Sequence, residues 1–289
     1  MTAPTAHTAE DLERGQSIGG RIRASALLGT SRGLVSTILA VLMITIAILA
    51  PVIAPYSSDQ QGAQSFLSPG AGNLLGTDEF GRDILSRVIF AVRLDLVLAV
   101  LAIPVGAIIG TLLGLSGIWA KSLGQVSARV FDLILGFPTL ILGIAVALLL
   151  TPGLPAVAVA IAIINIPVFG RLARGGMLAQ LNRDYVMAAK SLGASNTRIL
   201  LKQVLPNIRG ALLVQSAISI ADAVFIEGGL SILGLGVQPP TPSLGGLVQS
   251  GLPYITTSPM YVLGPTIALA LIILGFGLLA DTLNNRSET

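Results

Sequence analysis

The chain has 289 residues, 53% of them hydrophobic and only 11% charged, with mean hydropathy +0.85 and a formal charge of +3. Soluble domains carry about 25% charged residues, so water is not the main solvent of this one. It has no cysteine, which excludes disulfide frameworks, thiolate metal sites and thiol nucleophiles. Its single histidine, His7, reads as a solvated tail residue, and an aromatic content of 4% offers nucleic acid no stacking platform.

Residues 1–31 form a polar tail, expected in the cytoplasm. Six apolar runs follow, each close to the roughly 20 residues that cross a bilayer: Leu34–Ala54, Leu94–Trp119, Val130–Leu150, Leu154–Phe169, Ala211–Leu235 and Tyr261–Leu283. The first ends in Pro51 and Pro55 without a small-residue cleavage pattern, so it is expected to persist as a helix and not to be removed as a signal peptide. The expected fold is all-α and polytopic. A first helix and an extracytoplasmic segment occupy 32–93, a core with a cytoplasmic loop at 171–209 occupies 94–284, and a short tail closes the chain at 285–289.

Basic residues are retained on the cytoplasmic side of a membrane. With the N-terminus inside, fourteen of the 17 lysines and arginines fall in inner segments: four in Arg14–Arg32, Lys121 and Arg129, seven in Arg171–Arg209, and Arg286. Only Arg82, Arg87 and Arg93 are left outside. Both termini are therefore expected in the cytoplasm, with six transmembrane helices between them. Pro104, Gly106, Gly110, Gly114, Gly136, Pro138 and Pro167 fall within the runs, where they predict close helix contacts and kinks.

The block Leu75–Arg87 after the first run is polar and punctuated by glycine. Gly76 and Gly81 suit turns, and Thr77, Asp78, Arg82 and Asp83 read as a brace of the outer surface. Farther along, Arg171–Arg209 carries seven bases and one acid, Asp184, and is too long for a plain connector. Asp184 can cap a helix Asp184–Leu192 whose apolar members are Tyr185, Ala188, Ala189 and Leu192. Gly193 ends it, and Ser195 is placed to cap a second helix, Asn196–Val204, which Pro206 breaks before the fifth run. The loop reads either as a knob for a partner's groove or as an interfacial segment whose bases lie on anionic lipid. Asp222 and Glu227, acids in an apolar run, are expected to face a translocation path or a partner, with burial against a neighbouring helix as the alternative.

Met187-Ala188-Ala189-Lys190-Ser191-Leu192-Gly193, followed by Val204-Leu205-Pro206-Asn207, resembles the EAA loop of binding-protein-dependent ABC importer permeases, with Met187 where the general motif has Glu and Gln203 where it has an aliphatic residue. Leu75–Arg87 resembles a segment of the C-type permease subunit of dipeptide, oligopeptide and nickel importers. Glu227–Ser243 is similar to the same subunits' "LSFLGLGVQPPTPSWG" stretch, with Ile232 for Phe and Leu244 for Trp. Asp132 before Gly136-Phe137-Pro138, and the closing Phe276–Asp281, extend the resemblance over Leu34–Asn284.

This resemblance implies a type I importer permease fold in a bacterial inner membrane. It assigns Asp184, Ala188, Ala189, Lys190, Gly193, Ala194, Ser195, Arg198 and Pro206 to a loop that docks on ATPase subunits. The implied partners are a second, nonidentical permease, two ATP-binding subunits, an extracytoplasmic substrate-binding protein and membrane lipid, with no nucleic acid. No Gly-x-x-x-x-Gly-Lys-Ser/Thr pattern occurs, so the chain is not expected to be an enzyme or to hold a cofactor or metal, ATP and Mg belonging to the partners. A short peptide is the implied substrate, with nickel, glutathione and other small solutes open. A self-sufficient channel or secondary transporter would instead show inverted halves with broken-helix pairs, and no such repeat is apparent.

Overall fold

The computed structural model describes residues 31–284; residues 1–30 and 285–289, with His7 and Arg286 among them, lie outside the described residues. Helix α1, Ser31–Ile53, is followed by an extended outer segment and then by α2, Ile84–Leu115. Next come α3, Lys121–Leu135, α4, Thr139–Leu150, and α5, Leu154–Leu181. Two short helices, α6, Asp184–Ser191, and α7, Asn196–Ile199, lead through a π-helical turn at Leu200–Val204 into α8, Leu205–Ile232. The short α9, Leu244–Gly251, and α10, Met260–Asn284, complete the described chain, which among the described residues has no strand beyond two isolated bridges.

Among the described residues five helices are long and apolar enough to cross a membrane, and six spans result when α3 and α4 are taken as one bent span. The continuous third helix expected over Val130–Leu150 is corrected: its two halves meet at 92°. Pro138 lies extended at ψ 134° and has no N–H to give the preceding turn, so α3 ends at Gly136 and a new helix starts beyond. The second helix starts ten residues earlier than its apolar run, because the Asp83 carboxylate caps it by accepting from Ser86 N at 2.7 Å.

Pro206 does not break the helix as expected. It stands in the first turn of α8, where a missing N–H costs little, and the π turn ahead of it sends the Leu205 N–H to the Leu200 carbonyl. The α9 helix was not foreseen: the outer loop after Pro242 coils up because Ser243 caps it, accepting from Gly246 N at 3.1 Å.

In hydrocarbon, helices gain little from apolar contact alone, and close approach of small residues decides which faces meet. Gly106, Gly110 and Gly114 form one stripe on α2, and a Cβ at any of them would overlap backbone carbonyls of α5 at Ala162, Ile166 or Gly170. On its other side Gly170 touches the ring of Phe131, which locks α3 against α5. The α1 helix lays Ala40 on Gly275 of α10, and α9 seats Gly245 on Gly228 of α8. The outward faces stay apolar, with Val52 81% and Leu149 84% exposed, a surface that lipid covers at no cost.

Candidate functional site

Three sites can be built from these elements, beginning with the knob after α5. Helix α6 ends at Leu192, and Gly193, at φ +79°, turns the chain with bonds from Gly193 N to Lys190 O at 2.9 Å and from Ala194 N to Ala189 O at 3.0 Å. The Ser195 hydroxyl then caps α7, accepting from Arg198 N at 3.3 Å. Asp184 is the first residue of α6, whose positive end it faces, and Arg183 takes the cap position in its place.

Val186 and Ile199 are fully buried and insert among Leu115, Ala173, Met177, Leu200, Val204 and Ile208. They fix the knob to the adjoining ends of α2, α5 and α8. The side chain of Asn196 donates to Ile118 O at 2.8 Å, tying α7 to the end of α2. The anchor is thus Val186, and the stripe named from spacing points largely outward: Tyr185 and Ala188 are exposed, Ala189 is half-buried and Leu192 is 88% exposed. Lys190, Arg198 and Pro206 are exposed as well, so the knob offers apolar side chains ringed by bases.

The second site is the outer segment. Asp78 is fully buried; its Oδ1 accepts from Phe80 N and Arg82 N, both at 2.9 Å, and its Oδ2 from Arg82 Nε at 2.6 Å. Positive φ at Gly76 and Gly81, +82° and +73°, makes the turns that bring these groups together. Thr77 accepts from Leu67 N at 2.8 Å, and Asp83 accepts from Asn73 Nδ2 at 2.9 Å while capping α2.

Arg87, not singled out from sequence, is buried one turn into α2. It donates to Ser58 O at 3.0 Å and Pro240 O at 3.3 Å, with Asp78 Oδ2 3.7 Å from its Nε. The outer segment is thereby tied to the proline-rich loop between α8 and α9. Multiple bonds of this kind offset the cost of burying charge.

The third site holds the two suspected acids apart. Asp222 is exposed on α8, whereas Glu227 is buried inside the chain. The Glu227 Oε1 accepts from Ser231 Oγ at 2.5 Å, and its carboxyl is a hydrogen-bond neighbour of Asp95 on α2. Asp95 accepts from Leu244 N at 3.2 Å, across 149 residues of sequence. An acid inside the apolar run starting at Leu94 was visible in the sequence, and the criterion that singled out Asp222 and Glu227 applied equally to Asp95. Among the described residues no group of three or more His, Asp or Glu side chains could hold a metal ion.

Residues 102–289 match the family model of binding-protein-dependent transport system inner membrane components. The chain is 35% identical to a dipeptide transport system permease protein of Alkalihalophilus pseudofirmus, with 88% of this chain and 84% of that protein covered. It is 37% identical to a di/tripeptide transport system permease protein of Pseudomonas aeruginosa, covering 86% and 84%. A glutathione transport system permease protein of Escherichia coli is 35% identical, covering 86% and 83%. Among solved structures, the inward-facing MetNI methionine ABC transporter matches in fold with a TM-score of 0.56 at 18% identity, over 71% of this chain and 96% of that one.

Proposed function

From the premise that the chain belongs to the binding-protein-dependent transport system inner membrane components, we propose that it forms half of the path by which an ABC importer takes up di- and oligopeptides. The chain is a permease subunit in the bacterial inner membrane. The other half is a second, nonidentical permease. Two ATP-binding subunits drive the cycle with their own ATP and Mg, and an extracytoplasmic binding protein delivers substrate. Both termini lie in the cytoplasm.

The observation that carries this reading is the knob: a helix–glycine–helix unit buried at its root and apolar at its tip. Leu192, Leu201 at 57% exposure and Met187 at 52% project where a soluble partner would cover them. Because Val186 and Ile199 pack directly on α2, α5 and α8, a push on the knob moves the inner ends of three spans as one body. Alternating access then follows from rocking these spans against the partner permease.

Substrate class rests on the relatives' names, with glutathione as the second reading, favoured by the glutathione permeases at 35% identity. Both are small zwitterions with peptide bonds. ATP-dependent uptake of a labelled dipeptide into inside-out-free, right-side-out vesicles of the expressed complex, with glutathione and nickel as competitors, tests it. Dipeptide uptake that glutathione and nickel leave unchanged supports the first reading; absence of dipeptide uptake in vesicles that do take up labelled glutathione replaces it with the second.

A further inference from the structure

We propose that Asp95 and Glu227 hold a single proton between them, and that this acid–carboxylate hydrogen bond latches α9 to α2 and α8 at the outer end of the bundle. The two side chains are 1% and 0% exposed. Each has one oxygen satisfied by a donor, Leu244 N for Asp95 and Ser231 Oγ for Glu227. The remaining oxygens, Asp95 Oδ1 and Glu227 Oε2, have no donor from the protein, and the two carboxyls are hydrogen-bond neighbours.

Among the described residues no base serves the pair. Arg87, two turns away on α2, is occupied by Asp78, Asp59, Ser58 and Pro240, and Arg93 is exposed. Around the pair α8 contributes Ser231 and the α9 entry contributes Ser243, while Tyr261 of α10 lies with Asp78, Glu79 and Arg87. The core packed there by α1 and α10 is otherwise apolar. Two facing carboxylates without a cation repel strongly in such surroundings, whereas one proton converts the contact into a short, charge-assisted bond.

What the latch holds is specific. Leu244 N reaches Asp95, Ser243 Oγ lies 3.2 Å from Ser231 Oγ, and Ser231 Oγ also accepts from Val237 N at 3.2 Å, so the polar ties converge on the first turn of α9 and the loop that leads into it. Loss of the proton would set the carboxylates against each other and free that turn, which links the position of the outer helix to a protonation event.

Infrared spectroscopy of the purified complex tests this directly, since a protonated carboxylic acid has its own C=O stretch. The band is expected in the wild type and absent from both D95N and E227Q. Uptake supplies the second arm, which rests on the proposed function: an amide donates where the proton did, so D95N should keep uptake within about threefold while D95A falls about tenfold or more. Uptake should also fall as pH rises in the wild type and stay flatter in D95N. A band unchanged in both amide variants, failure of both to assemble, or D95N as impaired as D95A overturns the proposal. The infrared arm reads whatever solute is carried, so a wrong substrate assignment cannot mimic its failure.

Discussion

Arg87 is the residue whose loss should be felt most in the outer segment. Replacing it with alanine strands Asp78 beside Arg82 alone, opens two backbone carbonyls and unties the proline-rich loop. Breaking a buried charged contact costs about 3–5 kcal/mol, and thermal denaturation of the detergent-purified complex should show it. Asp83→Ala removes a helix cap and the Asn73 contact, for which a loss of about 1–2 kcal/mol is expected, with Asp83→Asn recovering most of it. At this scale the sequence was partly legible. Asp78, Arg82 and Asp83 were named as a brace and the structure brings Asp78 and Arg82 into contact; Asp95 was legible as an acid in an apolar run, but the partners of Arg87 and Asp95 lie 153 and 149 residues away and were not. Pairings that distant leave no local pattern.

At the scale of elements, the glycine stripe on α2 and the glycine turn of the knob make opposite predictions. Gly110→Leu drives a side chain into the α5 backbone, where nothing can yield; overpacking of this kind costs about 1–3 kcal/mol or more, and the assembled complex should be lost from membranes. Gly193 has open space around its missing Cβ and only its φ of +79° to satisfy. Gly193→Asn, which tolerates that conformation, should keep coupling, whereas Gly193→Val should assemble yet lose substrate-stimulated ATPase activity, because strain of about 1–2 kcal/mol falls on the turn. Normal stimulated ATPase in Gly193→Val would remove the knob from the mechanism. Apolar length and glycine spacing made most helices readable. The bend at Pro138, the uninterrupted passage through Pro206 and the coiling of α9 were not, since each depends on whether a neighbour can satisfy freed backbone groups. Hydropathy carries no record of that.

On the scale of the whole molecule, the described chain is a bundle whose two ends do different work. One end gathers Val186 and Ile199 under three spans, and the opposite end gathers Arg87, Asp95 and Glu227 around α9. The helix α2 runs between both, carrying the two polar ties at one end and Leu115 of the knob's seat at the other. Rigid helices of this length can transmit a displacement from one end to the other, which is what the proposed coupling to ATP-binding partners requires. Co-purification of the tagged chain from its native membrane tests that dependence most directly. The account predicts a complex holding a second permease and two ATP-binding subunits, with uptake abolished when ATP hydrolysis is blocked; a chain recovered alone or as a homo-oligomer that still transports without ATP would contradict it.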